Sequence, residues 1–98
     1  MNVKMLDFSG KVVFLTGGGG EIGARTSELF LRRGAKVVTT DIDFPVLNGS
    51  VDFEVNPVKI ALDVTDRKRV EAIIAATVEN CGRLDVVVNA AGILNIKP

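Results

Sequence analysis

Residues 11–16, K-V-V-F-L-T, form a short and nearly continuous apolar run, the pattern of a strand buried on both faces. Over residues 21–33 the spacing changes to that of a helix. Ile22, Thr26, Leu29 and Phe30 fall on one stripe, while Glu28, Arg32 and Arg33 take the other side and the C-terminal turn. Gly34 supplies a left-handed stop. Residues 36–41, K-V-V-T-T-D, are rich in β-branched side chains and predict a second strand ending on a carboxylate. Residues 42–56 carry Pro45, an Asn48-Gly49 turn signal and scattered apolar positions, which fit a short helix, an irregular crossover or a small hairpin. Strand chemistry resumes at 57–63, P-V-K-I-A-L-D, again closing on an acid. Thr65 or Asp66 then serves as N-cap for a helix over 66–81, with Val70, Ile73, Ile74, Thr77, Val78 and Cys81 on its apolar face. Gly82 ends it, and residues 84–89, L-D-V-V-V-N, predict a fourth strand. Two short strands flanking a helix make a right-handed, parallel βαβ unit. The whole alternation predicts an α/β fold: an open parallel sheet with helices on both faces.

The junction between the first strand and the first helix is the stretch 16–23, T-G-G-G-G-E-I-G. Glycine lacks Cβ and lets a ligand touch the main chain, and a helix N-terminus attracts anions through its free N–H groups and dipole. Gly18, Gly20 and Gly23 satisfy G-x-G-x-x-G, a weak pattern alone. Here it follows a strand, opens a helix and has an acid closing the next strand. Asp41 lies 18 residues after Gly23, near the roughly 20-residue offset of a carboxylate that hydrogen-bonds an adenosine ribose. The plainer role for Asp41 is that of a turn acid. A Walker A loop is excluded, because Ala24 and Arg25 follow Gly23.

These features, with two later ones, make the chain resemble the N-terminal part of the short-chain dehydrogenase/reductase family over about residues 9–93. The family pattern T-G-x-x-x-G-x-G maps onto Thr16, Gly17 and then Gly23, with Glu21 standing at the middle glycine. The family's D-[VL] pair, which lies along the adenine, matches Asp63 and Val64. Its N-N-A-G motif, which borders the nicotinamide ribose, matches Asn89, Ala90, Ala91 and Gly92, with alanine in second place. The lead-in F-S-G-K-V-V-F-L-T-G is also similar. The resemblance implies a Rossmann-like doubly wound sheet of strand order 3-2-1-4 that lacks the second half of the fold, and one partial NAD-binding domain over 1–98. It implies NAD contacts at Gly17, Gly19, Gly20, Glu21, Ile22, Gly23, Asp41, Asp63, Val64, Asn89, Ala90, Ala91 and Gly92. NADP-preferring members usually place Arg or Lys just before the middle glycine or just after the second strand. Gly20 and Ile42 stand there in this chain. Asp41 would bond the free 2′-hydroxyl of NAD and repel the 2′-phosphate of NADP, so NAD is the expected cofactor. Glu21 suits the first turn of a helix through the macrodipole, by roughly 0.3 to 1 kcal/mol, yet its charge competes with a pyrophosphate for the same positive end.

Composition narrows the partners. Lys and Arg balance Asp and Glu at 12 each, with no basic cluster, which argues against a nucleic-acid or polybasic membrane binder. The first ten residues hold no apolar run and no stretch is long enough for a bilayer span, so a cytoplasmic protein is expected. Cys81 is the single cysteine and there is no His, so an internal disulfide and zinc sites of the usual spacing are excluded; no metal site is expected. The chain also has no Tyr. In the family the proton-handling Ser, Tyr and Lys lie beyond the fourth strand, and neither Ser50 nor Lys97 sits in a matching motif. No catalytic residue is therefore assigned, and the 98 residues alone are expected to be inactive. The chain reads as the cofactor-binding half of an oxidoreductase that transfers hydride between nicotinamide and an alcohol or carbonyl, a fragment or truncated form of it. A non-catalytic module that senses NAD(H) or binds a protein, or one chain of a split enzyme, is the alternative. The fourth strand would leave an apolar edge exposed, inviting self-association or a complementary chain.

Overall fold

The computed structural model describes residues 7–46 and 49–90. β1 (Val12–Thr16), α1 (Glu21–Arg32), β2 (Lys36–Asp41), β3 (Val58–Ala61), α2 (Arg67–Cys81) and β4 (Val86–Asn89) follow in chain order. All neighbouring strands are parallel, and the sheet order is β3-β2-β1-β4, as the alternation and the resemblance predicted. β1 lies at the centre of this path, and every residue in it is buried.

Alternate strand residues face opposite sides of the sheet. Phe14, Val38, Val58 and Ile60 share one face, and α2 covers it with Ile73, flanked by Val70 and Ile74. Val13 and Val37 point to the other face, beneath Phe30 and Leu31 of α1. Phe8 joins that layer edge-on to Phe30, with ring centroids 5.1 Å apart. Each helix therefore seals one face. The first helical stripe differs from the expected one: Gly23 and Ser27 are buried, whereas Ile22 and Leu29 are exposed. The start of α1 presses so close to the loop before it that only small residues fit the contact. This turns the stripe toward position 23.

The ends of the elements also differ in detail. β3 stops at Ala61 rather than at the acid, and Asp63 lies in a turn whose carboxylate accepts from the Thr65 N–H and hydroxyl. Asp66, of the two candidates, caps α2 by accepting the Arg69 N–H at 3.2 Å. Gly82 ends that helix in the left-handed conformation, φ +85°. β3 and β4 are less buried than a fully covered sheet predicts, because each is an edge strand: Lys59 and Val87 are exposed. Residues 42–56 contain neither helix nor strand where described and form an irregular crossover. At its end Asn56 does what a strand residue would. Its side-chain amide accepts the Val37 N–H at 2.9 Å and donates to Ala35 O at 3.0 Å, continuing the β2 ladder ahead of β3. The Asn56–Pro57 peptide is cis. No helix among the described residues is long and apolar enough to cross a membrane.

Asp85 ties the approach of β4 to β1. Its backbone N–H donates to Val12 O and its carboxylate accepts the Val12 N–H at 2.8 Å, while Arg83 holds the same carboxylate in a forked pair. The Arg83 hydrogen bond and then the Val12 N–H hold the Asp85 carboxyl below its ordinary value. A carboxyl whose folded pKa lies below the unfolded value of about 3.9 stabilises the fold fully above that value and loses the contribution as pH falls through the folded pKa. Urea unfolding midpoints should therefore fall as pH drops below about 4. Asp85→Asn should flatten part of that slope, the remainder belonging to Asp7 and Asp63, which Ser9 and Thr65 depress in the same way. A variant whose midpoint tracks the parent's through this window would refute the assignment.

Candidate functional site

The ladder register brings the predicted residues to one end of the sheet. Thr16 stands opposite both Thr40 and Asn89, so the turn that begins at Gly17 lies beside the ends of β2 and β4. The Thr16 hydroxyl donates to Asn89 Oδ1 at 2.8 Å, and the Gly18 N–H donates to Thr40 O at 2.9 Å. Ala90 is fully buried just beyond. Ala91 and Gly92, which complete the fourth motif, lie outside the described residues.

Two glycines make the turn into α1. Gly17 has φ +75°, which a side-chain-bearing residue seldom adopts. At Gly23 a Cβ would come within 2.0 Å of Gly17 O and 3.0 Å of Gly18 Cα. The helix therefore begins with its backbone against the loop. Gly23 belongs to both readings of the glycine pattern, and Glu21 is the first residue of α1. Gly20 is the N-cap and contributes no side-chain hydrogen bond; the N–H groups of an opening helical turn have no intrahelical acceptors. Glu21 turns outward, pairing with Arg25 at 3.2 Å, with both side chains about four-fifths exposed. Ile22 beside it is also exposed.

Asp41 joins the loop to the end of β2. One carboxylate oxygen accepts the Gly19 N–H at 2.8 Å and the other the Asp43 N–H at 2.9 Å, so the turn role and the proximity to the glycines coexist. Each oxygen keeps a further lone pair for a ligand donor. A cleft of about 190 Å³ opens here, lined by Gly17, Asp41, Ile42, Leu62, Asp63 and Val64. Three of the four sequence motifs thus meet around one space, and among the described residues its lining carries two carboxylates and no cation. A larger cleft of about 330 Å³, lined by Lys11, Lys36, Asn80 and Cys81 among others, sits at the amino ends of β1 and β2. Open α/β sheets bind ligands at the carboxyl ends, so the smaller cleft is the candidate site.

A family model for short chain dehydrogenases matches residues 11–98. The chain belongs to the short-chain dehydrogenase/reductase family. Among curated members, the 3-oxoacyl-(acyl-carrier-protein) reductase FabG of Thermotoga maritima is 40% identical over 86% of this chain and 36% of its own length. L-fucose dehydrogenase of Bos taurus is 40% identical over 87% of this chain and 32% of its own. The ligand-free aldohexose dehydrogenase of Thermoplasma acidophilum superposes with a TM-score of 0.71 at 32% identity, covering 86% of this chain and 30% of that one. The chain thus spans about a third of the length of the relatives it matches. Carveol dehydrogenase from Mycobacterium avium, solved in complex with NAD, shares the fold at 23% identity and a TM-score of 0.65, over 81% of this chain and 34% of that one.

Two residues at the site, Thr39 and Phe44, escape sequence reasoning. Gly18 lies directly over Thr39, whose buried hydroxyl has no hydrogen-bond partner among the described residues and would stand 1.7 Å from a Cβ at position 18. Phe44 packs against Gly19, with its ring 3.2 Å from where a Cβ there would be. An apolar residue three positions after the strand-closing acid was the available signal. The outward Glu21 sharpens one expectation: its charge sits at the loop without blocking it. Glu21→Gly should tighten NAD binding a few-fold, at an expense of up to about 1 kcal/mol in helix propensity. An unchanged dissociation constant by fluorescence titration would remove any competition between Glu21 and the pyrophosphate.

Proposed function

We propose that residues 1–98 are the NAD-binding part of a short-chain oxidoreductase that moves hydride between nicotinamide and an alcohol or carbonyl carbon. The observation that carries the reading is the single cleft where Gly17, Asp41, Asp63 and Val64 meet, with the Asp41 carboxylate against the glycine loop and no cation among the described lining residues. The pyrophosphate would lie over residues 17–23 at the start of α1. The adenosine ribose would bond Asp41, and the adenine would lie along Asp63 and Val64 between the ends of β2 and β3. Asn89 to Gly92 would border the nicotinamide ribose. Bound NAD supplies the hydride acceptor; the chain's own residues bind and orient it. The Ser, Tyr and Lys that handle the proton in the family would come from sequence beyond Pro98 or from another chain, so turnover by residues 1–98 alone is not expected. A cytoplasmic setting belongs to the same proposal.

NAD over NADP follows from charge. A carboxylate about 4 Å from a phosphate is disfavoured by about 4 kcal/mol at an effective dielectric of about 20, and salt reduces this for a half-exposed group. A preference of about tenfold or more is expected by titration with NADH and NADPH. Asp41→Ala should narrow it. Asp41→Asn, which keeps an acceptor for the Gly19 N–H, should do the same with less loosening of the loop. Equal binding of both cofactors by the parent chain would sink the assignment. The second element of the proposal is association through β4, an edge strand whose Val87 is 62% exposed. Unpaired strand edges recruit other strands. Sedimentation should show species larger than a monomer well above about micromolar concentration, and a strict monomer there would count against it.

A further inference from the structure

We infer that Phe44 is a second determinant of cofactor choice, acting by filling the space that a 2′-phosphate would need; this rests on the nucleotide-binding reading above. A phosphate on the ribose oxygen that Asp41 bonds has to fit between the two segments holding that carboxylate. One is the glycine loop, through the Gly19 N–H. The other is the turn after β2, through the Asp43 N–H and through the Phe44 N–H, which donates to Asp41 O at 3.3 Å. The gap between them is occupied. At Gly19 a Cβ would meet Asp41 Oδ2 at 3.0 Å and Phe44 Cε1 at 3.2 Å, so the phenyl edge and the carboxylate both stand against the same loop residue.

The ring has a further neighbour. The Lys59 ammonium sits 5.7 Å from its centroid, within the range of cation–π attraction. Lys59 is the cation that β3 brings to this corner, and it is held on the ring rather than among the cleft residues. Phe44 thus acts twice against a phosphate, by occupying its place and by retaining the positive charge that would otherwise pair with it. Selectivity that combines an absent attraction with a built obstruction is a general device. Asp41 supplies the repulsion and Phe44 the obstruction.

The test is the ratio of NADPH to NADH dissociation constants, read by nucleotide fluorescence on the 98-residue chain. Phe44→Ala is expected to improve NADPH binding relative to NADH by about five- to tenfold, and adding Lys59→Gln to that variant should reverse part of the gain. Phe44→Leu is the milder replacement; it keeps a half-buried apolar side chain while removing the π face, and should move the ratio in the same direction by about twofold. A ratio unchanged in Phe44→Leu, and in Phe44→Ala where its circular dichroism matches the parent, would overturn the inference while leaving the NAD assignment standing. Failure of the parent chain to bind NADH at all would overturn both.

Discussion

The backbone contact between Gly23 and Gly17 is the constraint on which the cleft end of the molecule depends. With a Cβ at position 23 placed 2.0 Å from a carbonyl oxygen, α1 has to move away from the loop. The loop would then lose the position that sets Gly18 against Thr40 and Gly19 against Asp41. Close approach here also explains the rotated helix stripe. Once Gly23 and Ser27 face the sheet, Phe30 and Leu31 reach Val13 and Val37, and Ile22 and Leu29 are left outside. One steric fact thus links the loop, the packing of one sheet face and the composition of the outer surface of α1.

The fold was legible because its signals were local and repeated. Continuous apolar runs marked β1 and β2, a 3.6-residue spacing marked α2, and Gly34 and Gly82 stopped the helices with the positive φ expected of them. The crossover was not legible, since Asn56 works through its side chain in place of a backbone ladder and no periodicity records that. The site was legible in part. Asp41 stood out by its position at a strand end, yet its bonds to Gly19 and Asp43 depend on how two loops meet. The meeting of Phe44 with Gly19 depends on the same fact. Asp63 was read as a strand end and proved to be a turn acid, because a carboxylate with a threonine two residues later finds its acceptors' partners locally.

Charge at the candidate site is arranged by exclusion. Glu21 is turned to the surface and paired with Arg25, and Lys59 rests on an aromatic face. Among the described residues the charges lining the cleft are Asp41 and Asp63. An exposed ion pair such as Glu21–Arg25 contributes little to stability, typically under about 1 kcal/mol, so the arrangement bears on the charge around the cleft rather than on whether the chain folds.

The amide of Asn56 has a consequence for how the domain tolerates change. Because a single side chain clamps Ala35 and Val37 before β3 begins, the register of β3 on β2 is set at the landing point and not by the path that leads to it. The intervening crossover touches the core through Val51 and Phe53; ahead of those contacts a change in length is entropically cheap, since doubling a flexible loop adds only about 0.6 kcal/mol of closure entropy. Insertions or deletions between the turn at Phe44 and Val51 would therefore leave the β2–β3 register in place.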